Sequence, residues 1–85
     1  MRNDGIRAGA AVEALAGRDA EKNGIYVVVG ADDNFIYIAN GRRRKLEKPK
    51  RKNPRHLRPT GRVFVKEEIS TNRQIRQALR TIQGQ

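Results

Sequence analysis

Residues 24–46 read GIYVVVGADDNFIYIANGRRRKL, and the exchange of apolar runs with turn formers in this stretch decides the fold. IYVVVGA has the β-branched and aromatic density of a buried strand. Asp32, Asp33 and Asn34 favour a turn, because their short polar side chains bond to nearby backbone. FIYIA then reads as a returning strand, which makes a β-hairpin. Asn40-Gly41 comes next, a dipeptide suited to the two positive-φ positions of a type I′ turn. A further strand is therefore expected over residues 42–46, with the first basic residues displayed on a sheet edge.

Upstream, AAVEALA at residues 10–16 places Val12, Ala14 and Ala16 on one face of an extended strand, with Glu13 and Leu15 on the other. The same residues also suit a turn or two of helix. Residues 1–8 carry no pattern and are expected to form a mobile tail. Downstream, Pro49 and Pro54 lack backbone donors and are expected to interrupt the ladder, leaving KRKN between them as a solvated excursion. The chain becomes apolar again at Leu57, is expected to turn at Pro59-Thr60-Gly61, and forms a last strand through Val63, Phe64 and Val65. Thr71 and Gln74 have the spacing of a capping box. Ile75, Leu79 and Ile82 then form an apolar stripe, widened by Ala78, on a helix running to about Gln83, with Arg73, Arg76 and Arg80 on the far side. Several short strands, tight turns and one terminal helix predict a mainly β chain: a small SH3-like barrel over residues 9–66, a basic hairpin and loop at 40–58, and a helix at 70–83 packed on the barrel.

Charge is concentrated in one segment. Residues 42–58 hold ten Lys or Arg (Arg42, Arg43, Arg44, Lys45, Lys48, Lys50, Arg51, Lys52, Arg55, Arg58) and a single acid, Glu47. The rest of the chain has nine basic and eight acidic side chains, so nearly all of the net charge of +10 lies in this segment. Such asymmetry points to a polyanionic partner. Arginine outnumbers lysine there, which suits forked bonds to phosphate and stacking on exposed bases, and so favours structured RNA. The bland alternative is a solvated, aggregation-resistant face, but the excess exceeds what solubility requires.

Eighty-five residues make one small domain with little room for a buried catalytic cleft. Without cysteine, neither a disulfide framework nor a thiolate metal site is available. His56 is the only histidine, and no nucleophile and orienting acid accompany it, so catalysis, metal and cofactor are not expected. It is expected to pack or hydrogen-bond in its turn, or to contact phosphate or a base. Asp32-Asp33-Asn34 lacks the twelve-residue ligand set of a calcium loop. Core packing is the expectation for Phe35 and Phe64 and the leading one for Tyr37, whose position near the Asn40-Gly41 turn also offers its ring or hydroxyl to RNA. No apolar run is long enough to cross a bilayer, and the acids and glycines near the N-terminus do not suit a signal peptide. The expectation is a cytoplasmic protein, monomeric when free, that does not bind membranes.

The run AAVEALAGRDAEKNGIYVVVG that follows Gly9 resembles the KOW motif, with its apolar alternation, basic-polar loop between two glycines, and apolar strand. The resemblance extends through the basic hairpin to His56-Leu57-Arg58-Pro59-Thr60. There it is similar to small KOW-domain RNA-binding proteins related to the fourteen-type proteins of the archaeal and eukaryotic large ribosomal subunit. The loop after Asp19 is slightly longer than in that family. The resemblance implies ribosomal RNA as the partner, a ribosome-associated or translation-related role, and RNA contacts from Arg18 and Lys22 beside the ten basic residues and His56. The competing expectations are a KOW-type transcription-associated module that engages a protein, and an architectural DNA-binding protein.

Overall fold

The computed structural model describes residues 6–15 and 24–83. Among these, five strands form one antiparallel sheet: β1 (Ala10–Ala14), β2 (Ile25–Ala31), β3 (Ile36–Ala39), β4 (Lys50–Lys52) and β5 (Leu57–Val63). Their order is β4-β3-β2-β1-β5, so β4 and β5 are the edges and the sheet is not closed. One helix, α1 (Asn72–Gln83), ends the chain, and single 3₁₀ turns occupy Pro54–His56 and Lys66–Ile69. The class is mainly β, consistent with a small SH3-like fold.

The alternation of strand side chains gives this sheet two apolar faces. Ala10, Val12, Ala14, Tyr26, Val28, Ile36, Ile38 and Leu57 cluster on one of them, joined by Ile6. Val12, Val28, Ile36 and Ile38 are wholly inaccessible to solvent, although no helix contributes to their cluster. A flat sheet would leave that face in water, so the strands have to curl around it. Ala11, Val27 and Ala39 lie on the opposite face, beneath Phe64, Ile69, Ile75, Ala78 and Leu79. The stripe expected on the helix is therefore the lid of the second face.

The helix begins as the sequence indicates, with one shift in detail. Thr71 Oγ1 accepts from the Gln74 amide at 3.1 Å, while Gln74 Oε1 accepts from the amide of Ser70 and not from that of Thr71. The β2–β3 hairpin also forms as expected. Asp32 Oδ1 accepts from the amides of Asn34 (2.9 Å) and Phe35 (2.7 Å), which fixes the turn.

Several of these expectations fail. Ile6 is buried in the interior cluster and Gly9 is tied to both Val28 and Phe64 by backbone bonds. Structure thus begins before Gly9, and residues 1–5 lie outside the described region. Residues 42–46 are not a strand: Asn40 Oδ1 captures the amides of Arg42 and Arg44, which turns the chain at once. The KRK of the supposed excursion is instead β4, paired with Ile36, Tyr37 and Ile38. Pro49 and Pro54 flank these three residues without interrupting them. Finally, Pro59, Thr60 and Gly61 lie within β5, where an edge strand tolerates proline, and that strand stops at Val63, so Phe64 and Val65 lie beyond it. A register shift between Ala10 and Val12 takes up the extra β5 residues, among them Gly61 at φ +96°.

If α1 closes the second face, Ile75→Ala should lower stability by about 2–5 kcal/mol in urea denaturation, through lost burial plus a residual cavity. Val65→Ala, at a site 59 % exposed, should change it by no more than about 0.5 kcal/mol. Equal effects at the two positions would contradict this packing.

Candidate nucleic-acid interface

The basic turn after β3 is held in place by the N-terminal half of α1. Within the turn, Arg44 O accepts from the amides of Asn40 (2.8 Å) and Gly41 (3.1 Å), opposite the two bonds to Asn40 Oδ1. Asn72, the first residue of α1, uses both ends of its amide. Its Oδ1 accepts from the Leu46 amide at 2.7 Å, and its Nδ2 donates to Glu47 Oε1 at 2.8 Å. One helical turn later, Arg76 Nη1 donates to Gly41 O at 2.8 Å. Leu46 packs against the helix-side core. Gly41, at φ +78°, completes the fit, since a Cβ there would stand 2.4 Å from Asn72 O and 2.9 Å from Arg76 Cγ.

This clamp exposes Arg42, Arg43, Lys45 and Lys48 and leaves Arg44 half-buried. Glu47, the one acid in the segment, serves as an anchor. The hydrogen bond from Asn72, aided by Lys45 nearby, holds its carboxyl below the usual carboxylate range. Arg73 and Arg80 are exposed on the helix as expected, but Arg76 is turned inward to the clamp.

β4 presents the next three cations in two directions. Lys50 and Lys52 pair with Ile38 and Ile36 and therefore lie on the interior side of the sheet. Lys52 is only 9 % exposed, a correction to its expected place in an open phosphate-binding loop. Arg51, opposite Tyr37, is exposed on the other side, with its guanidinium over the Phe35 ring at 4.6 Å from the centroid. Phe35 is half-buried and belongs to neither core cluster, contrary to expectation, whereas Phe64 is in the core.

Tyr37 donates its hydroxyl to Asp32 Oδ2 at 2.7 Å. That bond, with those from the Asn34 and Phe35 amides, lowers the Asp32 pKa, and it raises that of Tyr37. The Asp32 contribution is present above the ordinary carboxylate pKa and is lost as pH falls through its lowered one. The Tyr37 contribution is present below the ordinary tyrosine pKa and is lost as pH rises through its raised one.

The remaining basic residues lead away from the turn. Asn53 caps the 3₁₀ turn by accepting from the Arg55 amide at 3.0 Å, leaving Arg55 and His56 exposed. His56 O accepts from the Leu15 amide, which ties this connection to the end of β1. Arg58 lies on β5, the edge opposite β4, and bonds Glu13 at 2.6 Å. Both side chains are well exposed, so the pair is worth about 0–1 kcal/mol and can yield to a phosphate. Arg18 and Lys22 lie outside the described residues. The structure thus gathers residues 42–45, 48, 50 and 51 around the turn and the β4 edge, and carries Arg55, His56 and Arg58 towards the other edge.

Gly41→Ala should strain the turn and push it from the helix. The expected loss is at least about 1 kcal/mol, with faster hydrogen exchange at the Leu46 amide. Unchanged stability and protection would show that the turn is not clamped. No protein-family model matches the chain, and no curated protein matches it.

Proposed function

We propose that the chain is a non-catalytic RNA-binding protein that engages structured RNA through the clamped turn and the adjoining β4 edge. The observation that carries this proposal is the double-ended amide clamp of Asn72, which fixes four exposed cations on a turn whose conformation is set before any partner arrives. Preorganisation matters because an unstructured basic segment has to be ordered on binding, and that ordering subtracts from affinity. Phosphate contacts of this kind position the protein without reading base sequence. The similarity to KOW-domain proteins supports ribosomal RNA as the target and a ribosome-associated, translation-related role in the cytoplasm, with the protein acting as a monomer without cofactor.

If about five of the basic side chains meet phosphates, log K should fall against log salt with a slope of roughly −4 to −5. Replacing Arg42, Arg43 and Lys45 together with Gln should weaken binding and reduce that slope by roughly 2–3, while the thermal transition stays near wild type. Filter binding across a salt series checks both, with duplex DNA of equal length as the comparison at about 150 mM salt. Tighter binding to the duplex DNA than to RNA, or a slope unaffected by the triple substitution, would refute the proposal. Co-sedimentation with ribosomes at low salt tests the ribosomal part, and a protein that stays at the top of the gradient would exclude it.

A further inference from the structure

Ile36 and Ile38 take the interior of the sheet, so Phe35 and Tyr37 face the opposite way, towards the side on which α1 lies. Of the β3 residues on that face only Ala39, at the far end of the strand, belongs to the core beneath the helix. Phe35 and Tyr37 are half-buried beyond it. Tyr37 is held by its hydroxyl, which Asp32 binds, and its register partner on β2 is Gly30, which has no side chain to cover the ring. On its other side, Arg51 reaches from the edge strand to lay its guanidinium over Phe35. Two rings and a guanidinium therefore share one partly exposed strip along β3, the strand that leads into the basic turn.

Attraction for phosphate alone does not call for this arrangement, because a solvated arginine suffices. A guanidinium held over a ring is restrained from turning freely, and a nucleobase can stack on a guanidinium plane. The local charge points the same way. Asp32 and Asp33 stand at the Phe35 end of the strip and are exposed, which disfavours phosphate there. The Asp32 carboxylate is also already engaged by Tyr37, Asn34 and Phe35.

We infer that the Arg51–Phe35 pair, with Tyr37 beside it, is a platform for an unpaired base of the RNA, along β3 from the phosphates held by the basic turn. This rests on the RNA-binding function proposed above and narrows it to structured RNA in which a bulged or looped nucleotide adjoins a stem. Base stacking tolerates any sequence, since every base has a π-face.

The test compares an RNA stem carrying a bulge, with 2-aminopurine as one bulged base, and the same stem fully paired. Wild-type protein should bind the bulged stem about tenfold more tightly or better and quench the 2-aminopurine. Arg51→Lys keeps the charge but not the plane, and Phe35→Leu removes the ring. Both should abolish the quenching and bring the two stems to equal affinity, whereas Arg42→Gln should weaken binding to both stems and leave their ratio unchanged. Thermal unfolding confirms that each variant folds, and Arg51→Lys, at an exposed site, carries the test if Phe35→Leu does not. Equal wild-type affinity for the two stems, or a preference that survives Arg51→Lys, would overturn the platform and leave RNA binding standing. Failure to bind either stem would overturn both.

Discussion

The packing of α1 across Ala11, Val27 and Ala39 is the contact on which the rest of the molecule depends. A five-stranded sheet with two apolar faces can cover one by curling, but the other needs a second layer, which α1 supplies together with Phe64 and Ile69. The same docking brings Asn72 and Arg76 to the turn after β3, where they bind Leu46, Glu47 and Gly41. Stability and the shape of the basic surface are therefore coupled through one element. Weakening the helix core should loosen the cationic turn as well.

Clustered like charges repel one another, and several cations of this chain are taken up by neighbours. Lys52 is drawn down beside the interior, Arg76 is spent on a backbone carbonyl, Arg51 lies on a ring, and Arg58 is paired with Glu13. Arg42, Arg43, Lys45 and Lys48 are left exposed on a turn fixed by neutral amide bonds and one carboxylate. A polyanion laid across that turn would relieve the repulsion, which gives binding an electrostatic source in the fold itself.

The parts of the fold legible in sequence were those set by local chemistry. The β-branched density of IYVVVGA, the Asp32 turn and the helix stripe all behaved as their residues dictate. What failed was decided partly by competing local bonds and partly by tertiary contacts. Asn40-Gly41 has the chemistry of a tight hairpin, yet Asn40 bonds forward to Arg42 and Arg44, and the next strand waits until Lys50. Pro49 and Pro54 discouraged a strand assignment although they only flank one. At the site, the run of cations was evident, but Asn72 and Arg76 were not, because a residue some 30 positions away in the chain carries no signal of the turn it will hold. Phe35 was within reach: once Ile36 and Ile38 are given to the core, alternation sends Phe35 and Tyr37 to the other face.

The central claim is that the clamped turn and the adjoining β4 edge form the RNA-binding surface. Titrating isotopically labelled protein with a bulged RNA stem and following its amide NMR resonances tests it most directly. The account predicts that the largest shifts fall on residues 41–48 and 50–52 and on Phe35 and Tyr37, with little change at residues 61–69. Shifts concentrated on residues 61–69, with the turn unaffected, would contradict it.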